Sequence, residues 1–162
     1  MADRRAASLS IRPYRSSDLR ELITLFAAAV SDLARAHYDR RQRWAWSSSA
    51  QDVDTWRSRL SEGVTLVAEI GGAPAGFITY SETGHVDLLF TAPEYARCGI
   101  ASQLYRCAED QLRDAGIEQI HTEASKVARC FFERMGFVKV KKEVVEVKGI
   151  PLMRFRMHKN IH

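Results

Sequence analysis

Apolar and polar positions follow two different periods along the chain, and the changes of period predict its elements. From Ser17 to Leu33, apolar residues recur three and four positions apart, which is the spacing of a helix that buries one face. A short strand is expected before it, over residues 9–14. A second short helix is expected from Val53 to a stop at Gly63. The pattern over 31–50 is compatible with a helix or with irregular structure.

After Gly63 the pattern changes to short apolar runs bounded by turn residues, which is typical of β-strands. These predicted strands cover 64–70, 74–81 and 85–91. Helical spacing returns from Ile100 and ends at Gly116, and a further strand is expected over 117–123. The order of strand, helix and strand from 85 to 123 predicts that the two strands are parallel and joined by a right-handed crossover.

The last third of the chain predicts a short helix followed by a hairpin. The helix is expected from Ser125 to Met135, with Gly136 as its stop. Two β-rich runs follow, over 137–147 and 152–158, and Lys148-Gly149 divides them. The complete pattern therefore predicts a mixed α/β fold.

Composition places the chain among ordinary globular proteins. Its 162 residues, 46% hydrophobic and 27% charged, suit one domain with one core, so a single domain over 1–162 is expected. No apolar run approaches the roughly 20 residues that a membrane-spanning helix needs. The first ten residues lack the apolar segment of a secretory signal. These features predict a cytoplasmic protein with no membrane partner.

Charge and cysteine content argue against several other classes of protein. Lys and Arg number 24 and Asp and Glu 20, so the net charge is +4. This excess favours an anionic ligand but is too small and too scattered to predict nucleic-acid binding. Cys98, Cys107 and Cys130 have no C-x-x-C spacing, which predicts neither a disulfide framework nor a metal site. Reduced thiols are therefore expected.

The segment from Pro93 to Ser102 runs from the end of a predicted strand directly into a helix N-terminus. The first amides of a helix have no partner within the helix, and the positive end of its dipole lies there, so such a turn suits a phosphate group. Gly99 and Ala101 leave room for an anion to approach the backbone. Taken alone, this G-x-A pattern is equally that of an ordinary helix start.

A second motif favours the interpretation of this turn as an anion site over that of an ordinary helix start. The stretch from Ala124 to Phe137 reads A-S-x-x-A-x-x-F-F-E-x-x-G-F. Together with the element order and the P-x-x-x-x-x-G-x-A turn, it resembles the GNAT acetyltransferases over residues 9–158. The resemblance implies the GNAT fold, an α/β (α+β) architecture with a mixed central sheet of about seven strands flanked by about four helices. It also implies an N-acetyltransferase that moves an acetyl group from acetyl-CoA to a primary amine.

The resemblance also assigns cofactor contacts residue by residue. Three residues match the strand whose backbone pairs with the pantetheine arm of coenzyme A: Leu89, Phe90 and Thr91. The next six match the loop whose amides bind the pyrophosphate: Arg97, Cys98, Gly99, Ile100, Ala101 and Ser102. Three match the helix beside the thiol and the nucleotide: Ser125, Arg129 and Phe132. By residue type alone, Ser125 is also a helix cap and Phe132 also a core residue.

Two positions depart from the family pattern. Ala96 stands where the phosphate motif usually has Gln or Arg. The guanidinium of Arg97 beside it is expected to bind the phosphate in place of that residue. Phe132 stands where the family frequently has a tyrosine acid, so the leaving thiolate must take its proton from another group or from water. The absence of a tyrosine acid is tolerable, because the thiolate of a thiol with a pKa near ~8.5 is a good leaving group at neutral pH. The same departure motivates an alternative, a coenzyme A-binding regulatory module without catalytic activity.

Candidates for the general base lie on two predicted strands. An amine with a pKa near ~10 is protonated at pH 7, so a base must take its proton before it attacks the thioester. His85 and Asp87 share a face of the strand over 85–91, where the family's carboxylate base commonly lies. Glu123, on the neighbouring strand, is the third candidate. Each of these three side chains is also typical of a strand residue that faces solvent and has no catalytic role.

The acceptor site is expected to involve the early helices. Tyr38, Trp44 and Trp46 are candidates for an aromatic wall around a cationic amine, and equally for rings that cover the core. The expected partner is an amine on a small molecule or a peptide, acetylated by direct transfer in a ternary complex. Acetyl-CoA is the cosubstrate, and no metal is expected. A homodimer through the C-terminal hairpin stays open.

Overall fold

The computed structural model describes residues 8–162, which form one seven-stranded sheet with helices on both faces. The strands are β1 (Leu9–Pro13), β2 (Val64–Ile70), β3 (Ala73–Tyr80), β4 (His85–Thr91), β5 (Gln119–Ser125), β6 (Val138–Val147) and β7 (Ile150–Asn160). The α-helices are α1 (Leu19–Leu33), α2 (Arg40–Ser47), α3 (Val53–Glu62), α4 (Ile100–Asp114) and α5 (Arg129–Arg134). The strand order is β1-β2-β3-β4-β5-β7-β6, and only the β4–β5 pair is parallel within these residues. The predicted mixed α/β fold is confirmed.

Neighbouring residues on β3 show how the two faces of the sheet acquire their helices. Phe77 points into a cluster with α1 and α3, whereas Ile78 points into a cluster with α4. This division follows from the alternation of side chains along a strand. Gly76 lets α4 approach closely, because a Cβ there would lie 2.9 Å from the Ile100 side chain. The start of α4 is thereby packed onto β3, beside β4.

One predicted helix boundary is wrong. Ser125 does not begin a helix but ends β5, where it pairs with Arg154 of β7, and α5 begins only at Arg129. The Ser125 hydroxyl accepts a hydrogen bond of 3.1 Å from the amide of Ala128, so it caps the intervening turn. The strand extends further than predicted because β7 supplies ladder partners up to Ser125.

In the part of the chain that the structure describes, no helix is both long enough and apolar enough to cross a membrane.

Candidate active site

The two parallel strands, β4 and β5, pair over only two positions. His85 pairs with His121 and Val86 with Thr122, and beyond them each strand keeps only its outer neighbour. The edge of β4 over 87–91 therefore faces a gap. A register shift between β3 and β4 also leaves Asp87 without a partner on β3, which is the arrangement of a β-bulge. The free edge of β4 can hydrogen-bond an extended ligand as a further strand would.

Two adjoining cavities occupy this gap. The larger has a volume of about 360 Å³ and the smaller about 160 Å³. Five residues line both cavities: Trp46, Leu89, Phe90, Ser125 and Ala128. The smaller cavity reaches Thr91 and Ala101, at the start of α4, whereas the larger reaches Asp87 and Glu123. The cleft therefore joins the acidic residues of the sheet to the N-terminus of α4.

The loop before α4 has amides without partners. Among residues 8–162, no hydrogen-bond acceptor is found for the amides of Arg97, Gly99, Ile100, Ala101 and Ser102. Arg97 and Gly99 both have left-handed backbone, with φ of 60° and 81°, which turns the chain sharply into the helix. A Cβ on Gly99 would meet no atom within 4 Å. The amides and the helix dipole can therefore receive an anion from open space.

The three candidate bases lie where β4 and β5 separate, and two of them are in contact. Nε2 of His85 lies 2.5 Å from Oε2 of Glu123. Both oxygens of Asp87 accept hydrogen bonds from Arg59 of α3, at 2.9 and 3.1 Å. Glu123 and Asp87 line the larger cavity, whereas His85 contacts Glu123 without lining it. Oε1 of Glu123 accepts no hydrogen bond from residues 8–162, so this oxygen is available to a ligand.

A second histidine stands beside this group. The ring of His121 stacks on that of His85, with the centroids 4.9 Å apart. Burial, and then the charge of the neighbouring His85, lower the pKa of His121. The His121 imidazole therefore favours its neutral form. No group of three or more His, Cys, Asp or Glu side chains within 8–162 is arranged to hold a metal ion.

Two of the three aromatic candidates reach the larger cavity. Tyr38 and Trp46 line it, with ring centroids 5.5 Å apart. Trp46 also contacts Phe90 of β4, with the centroids 6.1 Å apart. Trp44 is 58% exposed and is not among the lining residues. Of the three candidates, Tyr38 and Trp46 therefore border the cleft, and Trp44 does not.

The residues assigned to the helix beside the thiol have different surroundings. Phe132 is buried and lines the larger cavity, where its ring packs against those of Tyr105 and Phe137. Arg129 pairs with Glu133 at 2.8 Å and lies over the ring of Phe155. Ser125 lines both cavities. Of the three, Ser125 and Phe132 therefore border the cleft.

Two cations that line the larger cavity were not predicted from the sequence. Arg59 of α3 and Arg154 of β7 both line it. Arg154 interrupts the apolar run of β7, and this charge is the one signal that the sequence offers for it, although it does not show that the side chain faces the cavity. For Arg59 no such signal exists, because its place depends on how α3 packs over β4.

The Tyr38 hydroxyl ties the segment before α2 to the ends of two strands. It donates to the carbonyl oxygen of Met153 at 2.8 Å and accepts from the amide of Lys126 at 2.9 Å. Burial raises the pKa of Tyr38, so the phenol stays neutral and remains a donor at physiological pH.

Replacing Tyr38 with Phe is expected to lower the free energy of unfolding by about 1 to 3 kcal/mol, because a half-buried carbonyl and a half-buried amide each lose a partner. Urea denaturation measures this loss as a lower midpoint at an unchanged slope. Tyr95→Phe is the control, since the Tyr95 hydroxyl has no hydrogen-bond partner within 8–162. Equal stability of Tyr38→Phe and the parent protein would contradict the role given to this hydroxyl.

Comparison with known families and curated proteins identifies relatives over most of the chain. A family model described as an acetyltransferase (GNAT) domain matches residues 34–159. The uncharacterized N-acetyltransferase YafP of Escherichia coli (strain K12) is 35% identical over 153 residues, which are 93% of this chain and 95% of YafP.

Solved structures agree with these matches. A GCN5-related N-acetyltransferase from Rhodopseudomonas palustris, whose name also includes the words aminotransferase, class-II, has a TM-score of 0.91 and 29% identity over 96% of this chain and 98% of its own. The PaiA N-acetyltransferase from Thermoplasma acidophilum, in complex with coenzyme A, has a TM-score of 0.75 and 20% identity over 94% and 99% of the two chains. This second likeness concerns the fold alone. With the family model and the curated relative, these findings show that the chain belongs to the GNAT acetyltransferases and is an N-acetyltransferase that uses acetyl-CoA.

Proposed function

We propose that this enzyme transfers the acetyl group directly from acetyl-CoA to a primary amine that is held at Glu123. One observation carries the proposal, namely the separation of β4 and β5 after Val86. The resulting cleft has a carboxylate with a free oxygen at one end and unpartnered amides at the other. This arrangement suits an amine at the first end and a pyrophosphate at the second.

The cofactor would lie along the free edge of β4. The backbone of 89–91 would pair with the pantetheine arm, and the amides of Arg97 and of 99–102 would bind the pyrophosphate. The thioester would then lie near Ser125, which lines both cavities. The coenzyme A complex of the PaiA N-acetyltransferase, which shares the fold, supports this placement.

Glu123 is the proposed general base, and His85 is the residue that positions it. Both oxygens of Asp87 are occupied by Arg59, whereas Oε1 of Glu123 is free to accept a proton. In the transfer step the amine gives a proton to Glu123, and its nitrogen attacks the thioester carbonyl carbon. The C–N bond forms and the C–S bond breaks with its electron pair on sulfur. As the amide forms, the nitrogen gives its second proton to water, and the thiolate takes a proton from water in turn, because Phe132 has none to give.

Direct transfer requires that no cysteine carries the acetyl group. We expect the protein to keep its mass when it is incubated with acetyl-CoA alone, as measured by intact-protein mass spectrometry. Single changes of Cys98, Cys107 and Cys130 to Ala are expected to leave acetyl transfer within about threefold of the parent rate, since a residue that forms no intermediate is not needed for the step. An acetylated protein that passes its acetyl group to an added amine would contradict direct transfer.

Release of the coenzyme A thiol in the presence of a panel of primary amines tests the activity itself. Turnover with at least one amine, and none without amine, is the expected result. Tight binding of acetyl-CoA without turnover on any amine would instead support a regulatory module without catalytic activity.

We further propose that residues 1–162 form a single catalytic domain and that the protein is located in the cytoplasm. For a homodimer, we propose the outer edge of β6 as the contact.

A further inference from the structure

We infer that the acceptor carries a carboxylate next to its amine, as a free α-amino acid does, and that Arg154 binds this carboxylate. The inference rests on the proposed function of Glu123 as the residue that receives the amine. Its basis is a guanidinium and a carboxylate that stand side by side on one wall of the larger cavity.

The pairing of β5 with β7 places Glu123 and Arg154 at neighbouring positions. Ser125 is opposite Arg154, and Glu123 is opposite Arg156. Glu123 and Arg154 are therefore diagonal neighbours whose side chains leave the same face of the sheet, at a typical separation of about 7–8 Å. Two side chains that leave neighbouring positions on one face can each hydrogen-bond one of the two polar groups that an α-amino acid carries on a single carbon atom.

Charge identifies Arg154 as the available cation. Glu143 accepts hydrogen bonds from Nε of Arg154 at 2.5 Å and from Nε of Arg156 at 2.9 Å. One carboxylate thus serves two guanidiniums, which leaves one positive charge in excess. Arg59 has no such excess, because Asp87 pairs with it one to one.

The guanidinium of Arg154 is also well placed for a planar anion. Its Nε bond to Glu143 fixes the side chain, while its two Nη atoms find no acceptor within 8–162. The side chain is 35% exposed and lines the cavity. A guanidinium that presents both Nη groups matches the geometry of a carboxylate, which it can bind with two parallel hydrogen bonds.

The rest of this wall indicates the side chain of the acceptor. Tyr38, Trp46, Val145 and Leu152 line the same cavity and offer an aromatic and aliphatic surface. Burial of an apolar side chain against these four residues is favourable, whereas a charged one would lose its hydration and find no ion-pair partner among them. An α-amino acid with an apolar side chain is therefore the substrate class that this cavity fits.

The experiment compares three forms of the same acceptor, namely L-leucine, L-leucinamide and 3-methylbutylamine, with L-phenylalanine, its amide and phenethylamine as a second series. We expect kcat/KM to favour the free amino acids by roughly 10- to 100-fold, the effect of charge-assisted hydrogen bonds to one carboxylate. The amide has the less basic amine, so it would react faster if the carboxylate were not recognised. Equal rates for acid, amide and amine would overturn the inference.

Two variants assign the preference to a residue. Arg154→Gln is expected to abolish the preference for the acid while it keeps turnover of the simple amines. Lys142→Gln is the control, because Lys142 is an exposed cation on the neighbouring strand β6 that neither lines the cavity nor binds Glu143, and its preference should be that of the parent enzyme. Retention of the full preference in Arg154→Gln would overturn the assignment. Absence of turnover with every amine would refute the proposed function, whereas turnover without preference would refute only this inference.

Discussion

Replacing Glu123 with Gln is expected to lower kcat by on the order of 100- to 1000-fold, because the variant lacks the group that accepts the proton of the amine. Glutamine keeps the shape of the side chain and can still hydrogen-bond to His85, so the cleft should stay intact. The measurements are the rate of coenzyme A release at saturating amine and the dissociation constant of acetyl-CoA by calorimetry. The first should fall and the second should stay unchanged.

Asp87→Asn is the matched control for this prediction. Asp87 is the other carboxylate that lines the larger cavity, but Arg59 occupies both of its oxygens. Its replacement is expected to lower kcat by less than about tenfold, through movement of Arg59, since it removes no proton acceptor. A large loss in Asp87→Asn together with a small loss in Glu123→Gln would reverse the assignment of the base.

The regular parts of the fold were predictable because their patterns are local. Each strand carries its own alternation, and the apolar stripe of α1 has its own period. Helix α2 was missed as a definite element because it buries only one side chain, Ala45, and so has no apolar stripe. A local signal did exist: Asp39 and Gln42 form a capping box, with hydrogen bonds of 2.8 and 3.0 Å, and the sequence D-R-R-Q carries it.

The candidate active site also has one part that a local sequence pattern predicts and another part that it does not. The unpartnered amides of the loop before α4 follow from ten consecutive residues, 93–102, so the sequence alone could predict an anion site there. The choice among His85, Asp87 and Glu123 could not be made, because it depends on which carboxylate Arg59 takes, and α3 lies far from both strands in sequence. The place of Arg154 depends on the register of β7 against β5, which no local pattern determines.

Replacing Gly99 with Val is expected to raise the dissociation constant of acetyl-CoA by about 100-fold or more, the equivalent of losing one or two charge-assisted hydrogen bonds. Gly99 has a φ of 81°, which a β-branched residue adopts only under strain. The new side chain would also fill the open space in front of the unpartnered amides, where the pyrophosphate is proposed to bind. Calorimetric titration with acetyl-CoA in moderate salt measures the effect.

Gly116 is the control that separates backbone strain from obstruction of the anion site. It lies at the other end of α4 with the same φ of 81°, and a Cβ there would meet no atom within 4 Å. Gly116→Val should therefore carry a similar backbone cost, of about 1 to 2 kcal/mol or somewhat more, seen as a similar fall in the urea midpoint. Its affinity for acetyl-CoA should match that of the parent enzyme. If Gly116→Val lost as much affinity as Gly99→Val, backbone strain would account for both results, and the loop would have no special part in binding the pyrophosphate.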